Sequence, residues 1–373
     1  MIKVLVWGMT ENSGGVESVI MNYYRNIDRT KLQFDFLTNT PDIAFSQEIL
    51  ANGDKIIQIP TKKQNASNYY KTLDNVFKNG NYDAFWMNTC GLYNMSIIQM
   101  AKKHKVKVRI VHSHNSKNMG NFKDLLVHKL NKLFVDKYAT DFWACSELAG
   151  KYFYKNKILK SDKYQLIYNA IDLEKFKFNP DTRSEYRRTL NLDDKFIIGH
   201  VGRFHFQKNQ KFLINIFYEL QKKVSNAVLL LVGQGEDEAS LKQQIADLKL
   251  EDKVQFLGVR KDVDKLLQCM DLMIFPSLFE GLPVIMLESQ ASGLPIYASD
   301  TISTQTKINK NFKFLSLQLS AQDWANYIYN DLHNLDRDFD AIQNLKNSGF
   351  DIKEQVNEFT KLLCSRGKND KNR

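Results

Sequence analysis

The segment Asp271-Leu272-Met273-Ile274-Phe275-Pro276-Ser277-Leu278-Phe279-Glu280-Gly281-Leu282-Pro283-Val284-Ile285-Met286-Leu287-Glu288 decides the fold class. Its apolar run, Leu272 to Phe275, is short and ends at a proline, so it reads as a strand buried on both faces. A Gly-Leu-Pro turn follows, and Pro283 suits the opening of a helix, where its missing N–H has no partner anyway. Strand, turn and helix in that order mark an α/β protein. The helix start offers free N–H groups and the positive end of its dipole, which together suit an anion such as phosphate. Glu280 stands in the turn and Glu288 on the helix. Two carboxylates beside a phosphate cradle suit hydroxyl groups gripped next to a nucleotide.

Outward from this segment the same alternation recurs. In the first half the strand-like runs are residues 3–8, 34–38, 56–59, 84–87, 106–112, 142–145 and 164–168, with helical patterns such as 16–26, 69–78 and 95–103 between them. In the second half the strands fall at 196–201, 227–232, 254–257, 272–275 and 295–298, with helices at 209–223, 237–249, 283–291, 321–335 and 339–346. Apolar strands alternating with helices imply parallel sheets covered on both faces. The polar stretch 172–194 reads as a linker. The expected domains are therefore 1–175 and 176–350, two doubly wound units with a ligand cleft between their sheets, and a helix over 351–365 packing back on the first. The charged tail 366–373 is expected to be unstructured.

At 373 residues the chain is long enough for two such cores. The opening residues turn polar too soon for a signal peptide, and no apolar run approaches the length of a membrane span. Four scattered cysteines, Cys90, Cys145, Cys269 and Cys364, fit neither a zinc site nor a disulfide framework and suit a reducing cytosol. A cytoplasmic protein is expected, with peripheral contact at the inner membrane face left open. The net charge of +10 calls for an acidic partner: nucleic acid, anionic lipid or a phosphorylated small molecule. No finger, arginine-rich arm or aromatic RNA-binding signature appears, so nucleic acid is not expected.

The second domain opens Gly199-His200-Val201-Gly202-Arg203-Phe204-His205-Phe206-Gln207-Lys208-Asn209. Arg203 and Lys208 leave the strand end as a planar donor fork and a movable point charge, a pair suited to a diphosphate. Taken alone they read as solvated loop cations. With Val232-Gly233-Gln234-Gly235, Phe256-Leu257-Gly258, Pro276-Ser277 and Phe279-Glu280-Gly281-Leu282-Pro283 before Glu288, the second domain resembles glycosyltransferase family 4. The first domain adds Gly14-Gly15-Val16-Glu17 and Tyr168-Asn169-Ala170-Ile171-Asp172. The segments Arg109-Ile110-Val111-His112-Ser113-His114-Asn115 and 301–317 resemble its capsular and exopolysaccharide branch.

The resemblance implies a GT-B fold, two Rossmann-like domains, and sugar transfer with retention of configuration and no metal ion. It implies that Arg203 and Lys208 neutralise the departing diphosphate, that Glu280 holds donor-sugar hydroxyls and that Glu288 holds the ribose. Gly281, Leu282 and Pro283 would place backbone at the phosphate, Gly14 and Gly15 would form a tight loop beneath the sugar, and Asn169 would also touch the donor. A histidine is expected near the reacting sugar: His114 is favoured, and His112 on the same strand face is the alternative. His200 and His205 are expected to serve packing. Asn209 and Ala170 depart from the family pattern, which commonly has glycine at both places. Glu11 and Glu17 are expected as solvated loop acids, with contact to acceptor or sugar as the alternative reading of both.

The segment 122–138 spaces Phe122, Leu125, Leu126, Leu130, Leu133 and Phe134 as a helical stripe with lysines around it. It reads either as a stripe packed on the sheet or as a surface for anionic membrane. The expected activity is hexosyl transfer from a nucleotide sugar, with UDP the expected base, to a polyprenyl-diphosphate-linked glycan. A non-catalytic partner of another transferase and a nucleotide-sugar epimerase are the competing readings, and a glycosidase using both glutamates leaves the cations unexplained.

Overall fold

The computed structural model describes residues 1–368 other than Ser13 and Met119, so residues 369–373 of the charged tail lie outside it. The chain divides into two compact units, Met1–Ala170 joined by the segment from Ile352, and Ile171–Asp351.

The first unit is built on seven parallel strands: β1 (Ile2–Trp7), β2 (Leu32–Thr38), β3 (Ile56–Gln58), β4 (Ala84–Thr89), β5 (Val108–Ser113), β6 (Asp141–Ala144) and β7 (Tyr164–Leu166). Their spatial order is β3-β2-β1-β4-β5-β6-β7, so the order reverses between β1 and β4. Ligands of open α/β sheets bind beyond the carboxyl ends at such a reversal. The register of β4 on β5 pairs Asn88 with His112 and Thr89 with Ser113, which brings those carboxyl ends level.

The second unit repeats the scheme with β8 (Phe196–Val201), β9 (Ala227–Val232), β10 (Val254–Gly258), β11 (Leu272–Phe275), β12 (Ile296–Ser299) and β13 (Phe312–Leu315). Their order is β10-β9-β8-β11-β12-β13. All six residues of β9 and all four of β11 are buried, as their unbroken apolar sequence requires. The edge strand β13 escapes sequence reading because only two apolar residues, Phe312 and Phe314, flank its lysine before Leu315.

The segment from Ile352 forms a helix to Lys368, longer than the apolar pattern indicates, and it completes the first core. Phe359 is fully buried there, its ring 5.0 Å from those of Tyr23 and Trp86, 5.5 Å from Trp143 and 6.3 Å from Phe34.

The polar stretch 172–194 is not a linker. It holds helices Leu173–Phe176 and Pro180–Thr189, capped by the side chains of Asp172 and Asn179. Its charges are the anchors: Arg183 pairs with Asp271 at 2.5 Å and donates to the carbonyls of Gln268, Cys269 and Met270, and Arg187 pairs with Asp271 at 3.1 Å. These carbonyls end the helix Val263–Cys269, whose orphan acceptors need donors. The stretch is therefore anchored rather than free: Arg187 is buried and Arg183 partly so, while Asp181, Glu185 and Arg188 face solvent.

The helix Phe122–Phe134 overturns the packed-stripe reading. Phe122 is 72 % exposed, Leu126 50 %, Leu130 57 % and Leu133 54 %, while His128 is the residue of the helix that is buried. Lys132 folds inward, its ammonium donating to the carbonyls of Lys151 and Tyr152. Asn121 and Asp124 form a reciprocal cap at the start of this helix.

Candidate active site

In the second unit the chain leaves β8 at Gly202-Arg203 and passes through a short 3-10 turn, Phe206–Lys208, before the helix Gln210–Gln221. Asn209 makes that junction in the left-handed region at φ 57°, a conformation that glycine and asparagine adopt most readily. This accounts for asparagine where the family commonly has glycine. Its side-chain amide also donates to the Pro276 carbonyl at 3.1 Å. Gln207 is laced to the same neighbouring loop: its amide donates to the Phe279 carbonyl at 2.8 Å, and its own carbonyl accepts from the Leu278 N–H at 2.8 Å. These bonds bring Lys208 onto Glu280, with Nζ 2.7 Å from Oε1 and both side chains largely buried. Lys208 also lies 4.8 Å from the centre of the Phe275 ring.

Arg203 takes a different partner, Glu236, at 3.0 Å, and His205 approaches the same carboxylate at 3.4 Å. Glu236 stands just beyond Gly233-Gln234-Gly235, and that turn signal is what would have found it from sequence. The Arg203–Glu236 pair is exposed, and such pairs contribute about 0–1 kcal/mol, so the guanidinium is readily drawn to a stronger anion. Gly233 makes the loop junction: its φ is 133°, and a Cβ there would stand 2.1 Å from the Gly202 carbonyl oxygen. His200 is a core residue, its Nδ1 3.0 Å from the Ile274 carbonyl and its pKa pushed down to about 4 by burial.

Gly281, Leu282 and Pro283 are buried and lead into the helix Val284–Ala291, with Pro283 at the cap position rather than inside the first turn. The two carboxylates singled out from sequence have different surroundings. Glu280 is paired with Lys208, whereas the charges acting on Glu288 are Lys175 and Asp264. Burial raises the Glu288 carboxyl to about 7, with Lys175 lowering it and Asp264 raising it. A protonated carboxyl can donate as well as accept, which suits a pair of vicinal hydroxyls.

In the first unit Gly14 caps the helix Gly15–Asn26 with φ −86°, and a Cβ on it would lie 2.8 Å from Glu17 Oε2. Glu17 is not a solvated loop acid. It sits in the first helical turn, 6 % exposed, and accepts from the Thr10 hydroxyl at 2.6 Å. Burial raises its pKa, opposed by that hydroxyl bond. Glu11 is exposed.

His112 on β5 is fully buried and accepts from Trp86 Nε1–H at 3.3 Å, and His114 follows just beyond the strand. Their ring centres are 4.2 Å apart, so alternation does place both on one side. Burial, then the neighbouring His114, hold His112 well below its ordinary pKa, and burial pushes His114 down to about 3. Asn169 is buried in a segment fastened to the helix Gly15–Asn26, where Tyr23 donates to the Tyr168 carbonyl and Asn22 to that of Ala170. Ala170 is fully buried. Asn88, which no sequence motif signals, bonds His114 Nε2 at 2.9 Å.

The strand–loop–helix arrangement with paired cations agrees with what comparison finds. Residues 182–347 match the family model described as glycosyl transferases group 1. The Bacillus subtilis protein EpsF, named as a glycosyltransferase, is 34 % identical over 324 residues, covering 85 % of this chain and 84 % of EpsF. An Escherichia coli UDP-Gal:alpha-D-GlcNAc-diphosphoundecaprenol alpha-1,3-galactosyltransferase is 28 % identical over 202 residues, 53 % of this chain and 52 % of that protein. Among solved structures, Anabaena Alr3699/HepE in complex with UDP and glucose superposes with a TM-score of 0.80 at 19 % identity, covering 98 % of this chain and all of that one. The two parallel-sheet units and these likenesses place the chain among the group 1 glycosyl transferases, a family of GT-B fold.

Proposed function

We propose that the protein is a retaining hexosyltransferase that moves a sugar from a UDP-sugar to a polyprenyl-diphosphate-linked glycan in capsule or exopolysaccharide assembly. The observation that carries this reading is the Lys208–Glu280 pair at 2.7 Å, held by bonds from Gln207 and Asn209 to the facing loop. It sets a cation for the leaving diphosphate against a carboxylate for sugar hydroxyls. The E. coli relative acts, by its name, on UDP-galactose and a diphosphoundecaprenol-linked sugar.

In this reading Lys208 and Arg203 balance the charge that builds on the diphosphate as the glycosidic bond breaks. Arg203 exchanges Glu236 for phosphate, and the backbone amides that open the helix Val284–Ala291 add donors to the same anion. Charge balance by side chains makes a metal ion unnecessary. Glu288 meets the ribose hydroxyls, and Gly14 and Gly15 keep the loop beneath the sugar bare. The exposed apolar and basic face of the helix Phe122–Phe134 meets the anionic membrane surface that carries the acceptor.

Thermal unfolding of the purified protein against UDP, GDP, ADP and CMP without metal tests the donor class. UDP at about 100 times its dissociation constant stabilises by about 2.7 kcal/mol. Transfer from UDP-sugars to a sugar-bearing polyprenyl diphosphate in EDTA then tests the reaction, with Glu280→Ala abolishing it. Near wild-type turnover by that variant refutes the assignment of Glu280.

A further inference from the structure

Asn88 lies at the carboxyl end of β4 and is 1 % exposed. Its amide nitrogen donates to the Trp7 carbonyl at 3.3 Å, and its amide oxygen lies 2.9 Å from His114 Nε2. Turning the amide over would set its oxygen against the Trp7 carbonyl oxygen, so the main chain of β1 fixes which way it points. A carbonyl oxygen accepts and never donates, so the hydrogen must be on the ring nitrogen. Gly8 makes the arrangement sterically possible. Its φ is 130°, and a Cβ there would fall 2.7 Å from Asn88 Cβ and 2.8 Å from the Asn88 carbonyl oxygen.

From this geometry we infer that Asn88 is a positioning residue that locks His114 as a neutral ring protonated on Nε2, leaving Nδ1 as a bare acceptor for a hydroxyl of the transferred sugar. The second half of this statement rests on the glycosyltransferase reading above. Nδ1 has no hydrogen-bond partner among the described residues. The titratable group packed against the ring is His112, whose centre is 4.2 Å away. Trp86 donates to His112 Nδ1, so that ring too carries its hydrogen on Nε2 and is neutral. A second positive charge at this distance would be repelled by the first, and burial already disfavours both. His114 therefore neither gives nor takes a proton at neutral pH. It orients a hydroxyl, and the sugar's position follows from the main chain of β1 through Asn88.

The tautomer is read without substrate, by nitrogen–proton correlation spectra of the imidazoles in the full-length protein, with His114→Gln identifying the signals. At pH 7.5 the His114 ring should show hydrogen on Nε2 alone and should not titrate down to pH 5. Hydrogen on Nδ1, or a titration near pH 6.5, overturns the lock. Asn88→Asp keeps the shape and the acceptor oxygen but adds a charge, so its His114 should titrate at a pH at least one unit above wild type; an unshifted ring overturns the contact. Transfer from UDP-sugar should fall about 100-fold in Asn88→Ala and in His114→Gln, as for a misplaced reacting group, with UDP binding unchanged. Unchanged transfer in both variants overturns the role at the sugar. A wild-type chain that transfers no sugar refutes the proposed function, while the spectra still decide the lock.

Discussion

Glu288 holds a proton that an ordinary glutamate would have lost, because burial raises its carboxyl from 4.5 to about 7. Its native form thus binds more protons than the unfolded chain between those values, and stability from this group declines as pH rises through that window. His200, at about 4, and His114, at about 3, act oppositely: their native forms bind fewer protons, and stability rises with pH up to about 6.5. The contribution of Glu288 is therefore isolated by difference. Glu288→Gln should lose less stability than wild type between pH 5 and 7.5 in denaturant titrations, and parallel curves for the two proteins would show that the carboxyl ionises normally. Most candidate residues were legible because each chemistry needs a residue type at a strand end: Arg203, Lys208, Glu280 and the Gly281 turn. Their partners were not. Glu236 lies in the loop after β9 and Asn88 at the end of β4, and an acid beside two glycines looks solvated although Glu17 is buried in the first turn of the helix Gly15–Asn26.

The helix Phe122–Phe134 turns large apolar side chains outward and ties Lys132 inward, the reverse of what packing on a sheet requires. A contiguous exposed apolar stripe marks an interaction surface. Replacing Leu126 and Leu130 together by serine should leave the melting temperature within a few degrees, since both are about half exposed. The same change should strip the protein from vesicles containing anionic lipid in flotation. Equal flotation of variant and wild type, or binding indifferent to lipid charge, removes the membrane assignment. Strands and helices with a clean period were readable at this scale, and β9 and β11 show why: burial on both faces leaves an unbroken apolar run. The helix Pro180–Thr189 was not readable, because its anchors are arginines whose partners, Asp271 and the carbonyls of residues 268–270, are distant in sequence.

Both units use one scheme, a parallel sheet whose order reverses at its first strand, and the alternation of elements was enough to expect that. The closure of the first unit is what sequence leaves open, since an amphipathic helix carries no mark of which sheet it covers. Phe359 settles it by sitting among Tyr23, Phe34, Trp86 and Trp143. Phe359→Ala should destabilise the first unit by about 3–5 kcal/mol, the cost of a large cavity in an aromatic core. Fluorescence of Trp86 and Trp143 during unfolding would report it, and a loss under about 1 kcal/mol would mean that the helix from Ile352 contributes little. That closure has a consequence for biosynthesis. The ribosome must translate all of the second unit before the helix that seals the first becomes available. The sheet made first waits with an aromatic groove open to solvent, and the nascent chain depends on slow aggregation or on a chaperone until its last helix arrives.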